Sequence, residues 1–102
     1  MVTAIAMYPA NAPFDRTYYH EKHMPLVHAK LEQHGLKKTE VHVIGGTAAG
    51  GPSPYHVITK LYFDDETTMK NAFGTPDFAA VVEDIKNFYG GDTQLLTAIV
   101  AT

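Results

Sequence analysis

The sequence predicts an α+β domain of the ferredoxin-like βαββαβ type, with a four-stranded antiparallel sheet and helices on one face. Three observations carry this. Four apolar runs of strand length are spread along 102 residues. One long helical segment separates the first run from the second. A pair of shorter helices separates the third from the fourth, which completes the split βαβ order.

The first strand is read at residues 2–8 (VTAIAMY), and Pro9, Asn11 and Pro13 end it in a loop. Asp15 then offers a carboxylate to the free N–H groups of a first helical turn. Phe14 and Tyr19 flank it where a hydrophobic staple sits. The helix runs to about His34 and stops at Gly35. Pro25 interrupts it, because it lacks an N–H and its ring crowds the carbonyl of Glu21. The expectation is a kink or break near Glu21–Pro25 that loosens the backbone beside His23.

Residues 38–45 read as the second strand, and the Gly-rich stretch 45–51 as a flexible linker or a lid over a pocket. Residues 55–63 (YHVITKLYF) form the clearest strand, rich in β-branched and aromatic side chains. Asp64, Asp65 and Glu66 cap a short helix that runs through Ala72. Thr75 as cap and Pro76 at the first helical position restart a helix that stops at Gly90-Gly91. The last strand covers residues 94–100. Residues 1–102 form one domain, without repeats or domain linkers.

Composition narrows the function classes. Hydrophobic residues make up 45% and charged residues 19%, an ordinary globular balance. The net charge of −3 and the absence of any basic run beyond Lys37-Lys38 argue against a nucleic-acid partner. The absence of cysteine removes disulfides and thiol chemistry. No apolar run reaches the roughly 20 residues of a membrane span, and the N-terminus lacks a basic signal start. The expectation is a cytoplasmic protein.

The strands look apolar on both faces. Ile5 and Met7 oppose Ala4, Ala6 and Tyr8; Ile58 and Tyr62 oppose Val57, Leu61 and Phe63; Leu96 and Val100 oppose Leu95 and Ile99. Helices cover one face. A second copy of the chain, packed sheet to sheet, covers the other in the economical reading. In the alternative, short edge strands tolerate scattered apolar residues.

Histidine is abundant, with six in the chain and three of them (His20, His23, His28) within nine positions. At about 100° per residue, Tyr19, His23, Leu26 and Val27 share one apolar arc with His23 near its middle. His20 falls at the margin and His28 outside. A histidine facing the sheet either completes buried hydrogen bonds or lines a pocket. The first reading is the commoner one for a buried histidine. Tyr19 one turn earlier, Pro25 beside it, and His42 and His56 on neighbouring strands, whose facing the sequence does not determine, narrow the gap to a pocket. The spacing His20-x-x-His23 matches no strong zinc pattern, so no metal is expected. The Gly-rich loop lacks the Lys of a phosphate-binding motif, and no cofactor motif occurs.

The stretch from Tyr8-Pro9 through Phe14-Asp15, the aromatic pair Tyr18-Tyr19 and His23-Met24-Pro25-Leu26 resembles the EthD family, and Phe73-Gly74-Thr75-Pro76 fits the same layout. The resemblance covers nearly the whole chain. It implies a dimeric α+β barrel and maps the family's histidine onto His23. The wider superfamily includes cofactor-free monooxygenases, muconolactone-type isomerases and haem-degrading enzymes. The resemblance therefore implies an oxidoreductase or isomerase acting on a small apolar, oxygenated or aromatic metabolite. His23 would be its general base and Tyr19 its hydrogen-bonding partner. Tyr18, Phe73, Phe78, His42 and His56 would line the substrate pocket. The rival reading is a non-catalytic binding or accessory protein for a hydrophobic metabolite or a partner enzyme. Haem binding is a weaker third.

Overall fold

A computed structural model describes residues 1–101. Four strands, β1 (Val2–Pro9), β2 (Lys38–Val43), β3 (Tyr55–Phe63) and β4 (Gln94–Ile99), form one antiparallel sheet in the order β2-β3-β1-β4. This is the order that the split βαβ pattern requires. Among the described residues no helix is long and apolar enough to cross a membrane.

The first helix is continuous but not uniform. It opens with a short α turn, α1 (Arg16–Tyr18), capped by Asp15, whose side chain accepts from the Tyr18 N–H at 3.0 Å. A π turn (Tyr19–His23) follows, then α2 (Met24–Leu31) and a 3₁₀ turn (Glu32–His34). Gly35 ends it in the left-handed region at φ 100°, where a side chain would be strained and would also meet Thr68.

Pro25 does not break the helix into two segments. The chain stays helical and widens beside it. The Met24 N–H reaches back five residues to the Tyr19 carbonyl, and Pro25 starts the tighter helix after it. Tyr19 and His23, the first and last residues of the wide turn, both lie on its buried side.

The second half of the chain carries α3 (Glu66–Phe73), capped by Asp65, and α4 (Pro76–Asp84), capped by Thr75. A 3₁₀ turn (Ile85–Asn87) ends α4 earlier than the sequence suggested. All helices lie on one face of the sheet. Val2, Ala4, Ala6 and Tyr8 of β1 and Val57, Thr59, Leu61 and Phe63 of β3 are buried beneath them. The residues between, Ile5, Met7 and Ile58, stay half-buried on the outer face, and Leu96, paired with Ile5, is 52% exposed. The two-faced apolar pattern read from the sequence is thus present in the fold.

Candidate functional site

The central strand carries alanine where its neighbours carry larger groups. Ala4 pairs with Leu61 and Thr97, and Ala6 with Thr59 and Leu95. Two small side chains in the middle of the sheet leave space under the helices. Tyr19, His23 and Val27 of the first helix, Phe73 of α3, and Phe78 and Val81 of α4 close over it. The result is a cavity of about 150 Å³ with almost wholly apolar walls.

His23 is the histidine in these walls, beside the phenols of Tyr8 and Tyr19, and is only 3% exposed. Its ring is held between Tyr19, with centroids 5.4 Å apart, and Phe88, at 4.4 Å. Nδ1 lies 2.9 Å from Asp84 Oδ2. Burial pulls the imidazole pKa below its ordinary value, and the Asp84 carboxylate opposes this without reversing it. Burial acts on Asp84 in the opposite sense. Hydrogen bonds from Tyr18, His23 and Asn87 outweigh it and hold the carboxyl below its usual range. The stable arrangement near neutrality is therefore an ionised Asp84 beside a neutral imidazole. The carboxylate can only accept, so the imidazole proton sits on Nδ1. Nε2 keeps its lone pair and has no hydrogen-bond partner among the described residues.

The second polar feature is a pair of hydroxyls. Tyr19 Oη and Thr59 Oγ1 are hydrogen-bonded at the cavity wall. Burial keeps the Tyr19 phenol protonated by pushing its pKa up. The Tyr8 hydroxyl also bonds Tyr19 in the same wall, and among three hydroxyls joined by two bonds one proton remains free for a ligand.

Four of the residues selected from sequence, His23, Tyr19, Phe73 and Phe78, meet in the cavity wall. Three stand elsewhere. Tyr18 is one residue further round the helix, so its hydroxyl reaches out to α4 and donates to Asp84 Oδ1 at 2.7 Å. His42 pairs with Ile58 on the outer face of the sheet and is 50% exposed there, because strand alternation turns it away from the helices. His56 sits at the start of β3, with Nε2 2.6 Å from the Ala12 carbonyl oxygen and its ring stacked on Phe14. The Gly45–Gly51 loop contributes no residue to the cavity. Among the described residues no group of three or more His, Cys, Asp or Glu is placed to hold a metal ion.

Sequence reasoning missed Asp84, Thr59, Phe88 and Thr93. A signal for Asp84 existed. It lies at the spacing Val81, Asp84, Ile85, Phe88, a carboxylate set into the apolar stripe of α4.

The fold and cavity together define a class of ferredoxin-like α+β domain with a helix-borne histidine buried in an apolar cavity. Within that class, the EthD domain model matches residues 10–92, and the chain belongs to the EthD family. It is 30% identical over 100 residues to an uncharacterised 11.0 kDa protein of Rhodococcus erythropolis from the thcB-thcC intergenic region, covering 94% of this chain and 90% of that one. It is similar to an EthD-like protein of Ralstonia eutropha, at 26% identity and TM-score 0.85 over 99% of this chain and 92% of that one. An EthD family protein of Bacillus halodurans follows at 27% identity and TM-score 0.82, with 98% of each chain covered. SnoaB of Streptomyces nogalater, a cofactor-independent oxygenase, shares the fold alone at 8% identity and TM-score 0.71, over 99% of this chain and 93% of that one.

Proposed function

We propose that this chain is an enzyme, of oxidoreductase or isomerase type, that removes a proton from a small apolar compound bearing an oxygen function. The observation that carries the reading is His23, a buried neutral imidazole whose Nδ1 is held by Asp84 while the ring lines an apolar cavity. Nε2 accepts the proton from an O–H or from a carbon next to a carbonyl. Burial lowers the His23 pKa, so the imidazole is unprotonated at Nε2 at neutral pH and free to accept. The proton left free among the Tyr8, Tyr19 and Thr59 hydroxyls donates to the substrate oxygen on which negative charge develops. Tyr18 and Asn87 act through Asp84 by completing its hydrogen bonds.

If the imidazolium returns its proton to another carbon, the reaction is an isomerisation and needs no co-reactant. If dioxygen adds to the deprotonated substrate, it is an oxygenation. That second branch is the one for which the shared fold with a cofactor-independent oxygenase offers support. The rival reading is binding without turnover, favoured by the almost wholly apolar wall.

The working form is a homodimer joined through the outer faces of two sheets, since Ile5, Met7, Ile58 and Leu96 otherwise leave that face apolar and uncovered.

The test is turnover of a panel of cyclic enol-ketones and hydroxylated aromatics, followed by oxygen consumption and by product formation. A compound converted by the wild type should be converted at least about 100-fold more slowly by His23→Gln. Full turnover by that variant sinks the assignment. Tight binding with no turnover by either form supports the rival.

A further inference from the structure

Among the described residues, Thr93 Oγ1 is the only side-chain oxygen or nitrogen fully closed off from solvent that lacks a hydrogen-bond partner. Folded proteins satisfy nearly all such groups, because an unpaired buried hydroxyl costs about 1–3 kcal/mol. Its place gives the omission a meaning. Thr93 immediately precedes β4 and lines the same cavity as His23, among the apolar side chains of Val82, Ile85 and Leu95.

The other hydroxyls of the wall each have a partner within the protein: Tyr19 bonds Thr59 and Tyr8, and the cavity is otherwise almost bare of polar groups. A ligand oxygen is therefore the chemistry that fits Thr93.

Size restricts the ligand further. The cavity measures about 150 Å³. An apolar cavity of about that volume holds one benzene-sized molecule, whereas drug-sized ligands need about 300 Å³ or more.

We propose that Thr93 is a specificity-determining anchor of this site, and that the ligand is a one-ring compound carrying two oxygen functions, one presented to His23 and one to the Thr93 hydroxyl. The first oxygen rests on the proton-transfer reading given above; the second stands on Thr93 alone.

The probes are benzene, phenol and the three dihydroxybenzenes, titrated by calorimetry against the wild type, Thr93→Val and His23→Gln. Valine keeps the shape of threonine and removes only the hydroxyl. In the wild type at least one dihydroxybenzene should bind about 3- to 10-fold tighter than phenol, the range expected of one neutral hydrogen bond. Thr93→Val should erase that gain and leave benzene and phenol within about twofold of their wild-type affinities, since their contacts are unchanged. The proposal is overturned if Thr93→Val keeps the wild-type preference, if no dihydroxybenzene surpasses phenol, or if none of the probes binds.

The two readings separate in the same experiment. Loss of the preference for phenol over benzene in His23→Gln reports on His23. Loss of the preference for a diol over phenol in Thr93→Val reports on Thr93. The ligand-free protein supplies a second check. Thr93→Val should melt at the wild-type temperature or above it, because an unpaired hydroxyl is replaced by a methyl. A lower melting temperature would mean that the hydroxyl already bonds within the protein, and the proposal fails.

Discussion

His23 Nδ1 lies 2.9 Å from Asp84 Oδ2, which ties the π turn of the first helix to the last residue of α4. Asp84→Asn preserves the shape and removes the charge. An amide can donate as well as accept, so it no longer fixes the imidazole proton on Nδ1. The variant should lose about 10- to 100-fold in kcat with KM little changed, a part of what acid–base catalysis supplies. It should also lose about 2 kcal/mol of stability, since a hydrogen bond to a largely buried charge is weakened. Steady-state kinetics and urea unfolding check the two effects separately. An unchanged kcat would remove Asp84 from the mechanism.

The depressed pKa of His23 fixes the sign of one pH effect. Above the ordinary histidine value of 6.5, the ring is neutral in both folded and unfolded chains. As pH falls through that value, the unfolded chain binds a proton that the folded chain refuses. The unfolded state then holds more protons, so stability falls until the lower, folded pKa is reached. Asp84 behaves likewise in a separate window. Its contribution is complete above its ordinary value of 3.8 and is lost as pH falls below it. Urea midpoints of the wild type and His23→Gln, compared at descending pH from about 7.5 to 5, isolate the histidine from the other five. The difference between the two proteins should change in favour of the variant as pH falls. A difference independent of pH contradicts the assignment.

The parts of this site legible in the sequence are those fixed by local periodicity. Helical spacing placed Tyr19 and His23 on one buried face, and strand alternation exposed the two apolar faces of the sheet. The π turn was not legible, because Pro25 signals only that regular bonding must fail and not how the backbone recovers. His42 was misplaced for a related reason. Its facing depends on the β2–β3 register, which one strand's pattern does not set. Asp84 and Thr93 joined the site through contacts across the fold, and only the polar interruption of the α4 stripe pointed to the first of them.

Leu96 tests the proposed dimer. It stands 52% exposed on the outer face, opposite Ile5, and contributes nothing to the core under the helices. Leu96→Lys should therefore leave the monomer folded by circular dichroism. In a sheet-to-sheet interface, the same change buries an unpaired charge, which is strongly unfavourable. Sedimentation equilibrium should give a dimer for the wild type and a monomer, or at least a 100-fold weaker dimer, for the variant. A monomeric wild type would leave the outer face without the proposed partner.

Ala6 tests whether the space above the sheet is the ligand's. It lies under the helices between Thr59 and Leu95 and forms part of the cavity wall. Ala6→Leu places three more carbons there. In a tightly packed core such an enlargement costs about 1–3 kcal/mol, because neighbours must move. Into an existing cavity the same atoms find room, and filling it typically adds about 0.5–2 kcal/mol. For a domain of this size that is a rise of several degrees in melting temperature. The variant should therefore melt above the wild type and lose all detectable binding of phenol. The two readouts guard each other. Lost binding with a lower melting temperature would indicate a distorted fold, whereas lost binding with a higher one means that the leucine occupies the volume the ligand needs.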